Sequence, residues 1–313
     1  MLLSAAFALV GVGSSAYHPS GTALVSQGVR QRGRALGING IWGNAGIASA
    51  PLVVGVHGFL IGWRVALEIL GAVGIVTGIL AMTTPFSVER GTDRAEVKGL
   101  EAKAGLRLFA VFCIGLVFGG FMYRGFTLIL PAFLESRLTT AMSGVQSAIS
   151  ALLPAHSSVS IDTLTANIVA SLVYIVGIVG QTFGGRAADR FSLKWAYLSF
   201  FVGALPFIIL AQLSRSILVV PMAGLFVFFS LGMQPIENSL IATLTPARWR
   251  SMSYGVKFTL NFGAGSFAVM LMSSVSSRYG VGSSLWVVAA FVLLVIVNTI
   301  VFLFLSRGQE IRQ

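Results

Sequence analysis

Nine stretches of this 313-residue chain run almost wholly apolar, at approximately 2–27, 36–57, 64–85, 107–134, 164–184, 193–213, 216–240, 254–276 and 283–306. A bilayer core roughly 30 Å thick takes about 20 apolar residues per helix, so each run predicts one spanning helix. Polar residues gather between the runs. The longest charged stretch is "SVERGTDRAEVKGLEAKAG" at 87–105, which predicts a soluble linker between two bundles. A second break is "GGRAADRFSLK" at 184–194, with four charges in eleven residues. The outer segment 136–163 carries Met142, Val145, Ile149 and Leu152 at helical spacing, suggesting either a short helix on the membrane surface or a plain loop.

Composition agrees with the pattern. The chain is 56% hydrophobic and 10% charged, with mean hydropathy +0.88, whereas a soluble domain carries about 25% charged residues. The net charge of +11 does not imply nucleic acid, because the cations sit in short loops between apolar runs, where they report orientation. Sixteen basic residues fall in alternate loops: Arg30, Arg32, Arg34; Arg90, Arg94, Lys98, Lys103, Arg107; Arg186, Arg190, Lys194; Arg248, Arg250, Lys257; Arg307, Arg312. The opposite loops hold only Arg64, Arg137, Arg215 and Arg278. A missed or invented span would scramble that alternation. The positive-inside rule places the sixteen, and the C-terminus, in the cytoplasm of an inner (cell) membrane. The single cysteine, Cys113, allows no intramolecular disulfide.

Nine spans with a cytoplasmic C-terminus would leave Met1 outside, with no basic segment before it to act as a signal peptide. Three further helices ahead of Met1 would give six before the linker and six after. The expectation is therefore a twelve-helix protein of which this chain carries nine. It divides into residues 1–86 as a partial N-terminal bundle of three helices, 87–105 as a cytoplasmic linker, and 106–313 as a six-helix bundle. An internal repeat fits this: Gly37 follows Arg32 by five residues, and Gly255 follows Arg250 by five. Repeated halves meeting at a midplane site are a transporter architecture.

Within "GGRAADRFSLK", Gly185, Asp189, Arg190 and Lys194 match the pattern Gly-x-x-x-Asp-Arg-x-Gly-x-Arg/Lys, with Ser192 in place of the second Gly. With "GVRQRGRALGINGIWGNAGIASAP" and the following Gly62-Trp63-Arg64, the chain resembles the major facilitator superfamily over its whole length, read as family helices four to twelve. "YHPSGTAL" at 17–24 most resembles the fosmidomycin-resistance-like permeases. The resemblance implies an all-α, polytopic membrane bundle that moves a small solute by alternating access. It also implies a motif copy between helices eight and nine that acts as a conformational latch. Independently, Gly184 and Gly185 permit close helix approach. Asp189, in a short turn, can accept from a positively polarised helix N-terminus or pair with Arg30, Arg32 or Arg34. The alternative is that Arg186, Arg190 and Lys194 only set orientation and Asp189 is a solvated turn residue.

The remaining candidates are polar residues inside spans. Gly37, Gly40, Gly43 and Gly46 recur at intervals of three, suggesting a close-packing stripe. Arg124 stands about 26 Å into its helix at 1.5 Å per residue. It either snorkels outward or, with Tyr123, binds an anionic substrate. Asn44, Gln181, Gln234 and Asn261 either line the cavity or make interhelical hydrogen bonds. Glu237 either carries a coupling proton or pairs with a basic loop residue, and His18 either titrates or packs. Glu68 lies four residues from Arg64, as an i,i+4 pair would. No phosphate-binding loop, metal-ligand cluster or catalytic triad can be assembled, so neither an enzyme nor an ATP-driven pump is expected, and no cofactor or metal. The expected partners are a small-molecule substrate and the lipid bilayer, with no nucleic acid, in a monomer. The sequence thus predicts a secondary active transporter, proton-coupled by default, with efflux or uptake open. The alternative is a non-transporting sensor or a non-functional truncated remnant.

Overall fold

The computed structural model describes residues 2–28, 31–60, 62–84, 102–139, 143–144, 146–147 and 160–307. Among these there is no strand. Ten α-helices follow in order: α1 Leu2–Gly28, α2 Arg32–Leu60, α3 Trp63–Thr83, α4 Ala102–Leu138, α5 Ile161–Arg190, α6 Leu193–Leu213, α7 Val219–Gly232, α8 Gln234–Leu244, α9 Arg250–Tyr279 and α10 Ser284–Leu305. All nine apolar runs fall on helices. Eight stretches, with α7 and α8 taken as one, are long and apolar enough to cross a membrane by length and composition. The other helix, α1, is 27 residues long, but Ser14, Ser15, Tyr17, His18 and Pro19 dilute its apolar character.

The run 216–240 differs from expectation in being two helices, broken at Met233. Pro235 sits at the start of α8 and has no N–H for the carbonyl four residues back. The break puts Gln234, Glu237 and Asn238 in the first turn and a half of a new helix. Two turns are set by glycine alone: Gly62 before α3 and Gly280 after α9 have φ of 95° and 82°, a region that side chains resist. Gly280 N–H also closes α9 by donating to the Ser276 carbonyl at 3.0 Å.

Helix α5 is the centre of the packing, with α2 along one side and α7 along the other. Its α7 face is Gly177, Gly180 and Gly184. A Cβ on Gly180 would meet the Phe228 carbonyl, and one on Gly184 would overlap the Gly232 carbonyl. The helices therefore touch through their backbones. Around this core α4 packs on α9 and α10, α6 on α7 and α10, α1 on α9, and α3 chiefly on α2. Outward-facing positions stay apolar, as Phe183, Trp195, Leu210 and Leu293 are all exposed, which suits a lipid surroundings.

Several expectations change. The glycine stripe of α2 does not hold together. Each step of three residues falls about 60° short of a full turn, so Gly46 lies opposite Gly37. Gly37 packs on Gln181 and Gly185, and Gly40 on Gln181, while Gly43 and Gly46 have nothing within 4 Å of an added Cβ. The true contact face is Gly33, Gly37, Gly40 and Asn44, at steps of three and four, and Gly55 eleven residues on, which returns to the same face. Gly255 likewise has nothing near it, so it does not reproduce the packing of Gly37 in the suggested repeat. Residues 85–101, which hold most of the linker with Arg90, Arg94 and Lys98, lie outside the described residues. So do Arg30, Arg312 and the four residues Met142, Val145, Ile149 and Leu152. Glu68 and Arg64 are both exposed on α3.

Candidate functional site

Asp189 is not in a turn but in the last turn of α5, which continues to Arg190. From there its carboxylate reaches the start of α2, accepting from Gly33 N–H at Oδ1 and from Arg34 N–H at Oδ2, both at 2.8 Å. The first four N–H groups of a helix have no intrahelical partner and carry the positive end of its dipole. Asp189 therefore caps α2 from 155 residues away. Its partners are amides rather than the arginine side chains. The approach depends on glycine: a Cβ on Gly33 would lie 2.6 Å from the Gly185 carbonyl, and one on Gly185 2.8 Å from the Gly33 carbonyl.

The other two motif residues do not join this contact. Lys194 Nζ donates to the Ser306 carbonyl at 3.2 Å, tying α6 to α10, and Arg190 is exposed. Nearby, Arg32 Nε donates to the Ser26 carbonyl at 2.9 Å, and Arg250 to the Ala242 carbonyl at 3.0 Å. Arg32 and Arg250 thus finish the C-termini of α1 and α8.

Deeper in, the polar candidates fall in two groups of helices. Along α2, α5 and α8, Gln181 donates to Gln234 Oε1 at 2.8 Å, and Asn44 donates to the Gly177 carbonyl at 3.3 Å. Gln181 is fully buried, and its Oε1 has no hydrogen-bond partner among the described residues. Between α4 and α9, Arg124 is exposed, its stem against Gly265. One turn away the Asn261 backbone packs on Gly120, and Asn261 Oδ1 is buried without a partner among the described residues. Tyr123 beside Arg124 packs into the core.

The strongest electrostatic feature joins residues the sequence left apart. Glu237 Oε1 and Lys257 Nζ form an ion pair at 2.8 Å, with side chains only 2% and 4% exposed. Tyr197 on α6 donates to Glu237 Oε2 at 3.0 Å. Lys257 also donates to Asn238 Oδ1, and Tyr254 donates to the Asn238 carbonyl. Each charge therefore has its counter-charge and a further hydrogen bond, which a buried pair requires. This corrects the placing of Lys257 among the loop cations, because it lies inside α9. The sequence signal was present: Lys257 comes seven residues after Arg250, about 10 Å along the helix, too deep for a loop. Tyr197 and Asn238 carried no such signal. His18 of α1 comes within one side chain of the pair, its ring 4.9 Å from that of Phe258 and 5.5 Å from Phe262. Lys257 Nζ stands 5.1 Å from the same Phe258 ring.

Comparison with known proteins agrees with this architecture. A family model of the Major Facilitator Superfamily matches residues 1–153 and again 137–313. Among solved structures, the crystal structure of the human organic anion transporter MFSD10 (TETRAN) is similar, with TM-score 0.53 and 16% identity over 89% of this chain. The chain spans 66% of that transporter's chain, and at this identity the likeness is one of fold. A search of curated proteins found no match. The family match is to the superfamily as a whole and does not reach the fosmidomycin-resistance-like subgroup. With helix-on-helix packing throughout the described residues and both family matches together spanning its length, the chain is a multi-pass membrane protein that belongs to the Major Facilitator Superfamily.

Proposed function

We propose that the protein is a secondary transporter that moves a small organic anion with a proton by alternating access, with its arginine-rich end in the cytoplasm. The observation that carries this reading is the buried Glu237–Lys257 pair. Two opposite charges almost out of water are tolerable together and costly apart. A proton delivered to Glu237 leaves the Lys257 ammonium without its counter-charge. Arrival of an anion at Lys257 restores neutrality, so proton and anion each favour entry of the other. The description of MFSD10 as an organic anion transporter supports the same substrate class. Arg124, Tyr123 and Asn261 on the α4–α9 side, and Asn44, Gln181 and Gln234 on the α2–α5–α8 side, are the candidates for completing the substrate cavity. His18 is the candidate to pass protons at the α1 face.

The test uses the protein in liposomes with a pH gradient and a panel of labelled small organic anions. Glu237→Gln is expected to abolish gradient-driven accumulation while keeping anion exchange at zero gradient. Accumulation at the parental level would sink proton coupling through Glu237. Loss of both activities in a folded variant would count against it as well, assigning Glu237 to anion binding.

In this reading Asp189 is the latch that holds the cytoplasmic ends of α2 and α5 together in one of the two alternating states. Hydrogen bonds to a charged group contribute about 1.5–3 kcal/mol each. Asp189→Asn keeps the shape, removes the charge and turns an NH2 toward one of the two amides. Transport should fall by about tenfold to a hundredfold, corresponding to roughly 1–3 kcal/mol of lost bias, with membrane abundance unchanged. Unaltered transport rates would show that the contact does no more than cap a helix.

A further inference from the structure

Beside the Asp189 contact, the crossing of α2 and α5 opens into a cavity of about 150 Å³. Arg34, Gly37, Ile38 and Ile41 line it from α2, and Gln181, Thr182 and Arg186 from α5. The cavity lies on the outer flank of the crossing. Leu36, on the other flank of α2, is buried, whereas Ile38 is 50% exposed and Phe183 on α5 is 53% exposed. An occupant would therefore enter from this exposed apolar flank.

Charge and depth indicate what that occupant is. Both guanidinium groups line the cavity, one from each side of the crossing, and neither has an ion pair or hydrogen bond among the described residues. Asp189, three residues past Arg186 and the nearest carboxylate along α5, is committed to the α2 amides. Among the described residues the two cations thus share one cavity without an anion. Below them, one and two turns further along α2, the lining becomes Ile38 and Ile41. Along α2 a cation followed by two isoleucines matches the order of phosphate and acyl chain in a phospholipid. Arginine pairs suit phosphate because the guanidinium fork presents two parallel donors.

We propose that this cavity seats an anionic phospholipid, with its phosphate between Arg34 and Arg186 and its first acyl carbons against Ile38 and Ile41. A phosphate held by one arginine from each helix bridges the crossing at the point where Asp189 closes it. The lipid therefore favours the state in which Asp189 is bound to α2.

The test measures lipid retained by the purified full chain, by native mass spectrometry and by thermal shift in neutral detergent. The probes are phosphatidylglycerol, phosphatidylcholine and inorganic phosphate. Each basic residue near an anionic lipid is worth about 1 kcal/mol, so Arg34→Gln with Arg186→Gln should weaken phosphatidylglycerol binding about 30-fold. Arg34→Lys with Arg186→Lys should keep most of it, and Arg307→Gln, which removes an arginine outside the cavity, should leave it unchanged. Equal retention by the double glutamine variant would overturn the proposal, as would equal binding of phosphatidylcholine. Protection by inorganic phosphate at the same concentration would also overturn it, identifying a site for a free anion. If the double glutamine variant does not fold, loss of binding in either single glutamine variant supports the proposal, and full binding in both refutes it.

Discussion

Replacing Lys257 with Met should cost the fold about 3–5 kcal/mol, because it leaves Glu237 buried with no counter-charge. Tyr197 remains as a donor to Glu237, but one neutral hydroxyl does not offset a carboxylate at 2% exposure. Asn238 Oδ1 loses its donor in the same step. The expected readout is a large drop in melting temperature in detergent and in the yield of monodisperse protein. Glu237→Gln combined with Lys257→Met removes both charges and should recover most of that loss, since a buried pair replaced as a unit is often neutral for stability. The recovered double variant should fold but not accumulate anions. If Lys257→Met is as stable as the parent, the pair is not desolvated and the coupling argument loses its basis.

Gly184→Val is the second substitution with a large expected effect. A Cβ at 184 overlaps the Gly232 carbonyl, so no rotamer relieves the clash and α5 must move off α7. Overpacking a core usually costs about 1–3 kcal/mol through side-chain adjustment; a backbone clash at the central crossing should exceed that and abolish folded protein. Gly119→Ala provides the contrast. Nothing lies within 4 Å of its added Cβ, and alanine is about 1 kcal/mol the better helix former, so it should be neutral or slightly stabilising. Size-exclusion profiles of the two variants side by side settle the matter: a monodisperse Gly184→Val protein would mean that α5 and α7 do not cross as closely as described.

The spans were legible because they rest on a property summed over some twenty residues, and the loop cations corroborated them through an independent signal. What the sequence hid depended on single positions. Lys257 counted as a loop cation because it follows Arg248 and Arg250 closely, yet helix α9 begins at Arg250 and carries it inward. Pro235 broke a run whose hydropathy gave no sign of a break. Asp189 was recognised from its motif and from the polarity of helix ends, although the length of α5 was not: Gly184 and Gly185 look like a loop until they are seen packed on other backbones. Glycines at intervals of three suggested a stripe that helical geometry cannot keep on one face. Partner identities such as Tyr197 with Glu237 depend on tertiary placement across 40 residues, which local pattern does not encode.

The way Asp189 is held has a consequence for genetics. Its partners are two main-chain amides, and every residue except proline presents the same N–H. A mutational scan of α2 should therefore find position 33 intolerant for reasons of size, and position 34 silent toward this contact unless Pro is introduced. No side chain on α2 can be exchanged to compensate for the loss of Asp189. Suppressors of an Asp189 variant should map to the balance between the two states of the proposed transport cycle instead of to a complementary partner. A search for correlated substitutions between the two ends of this joint would see only one of them.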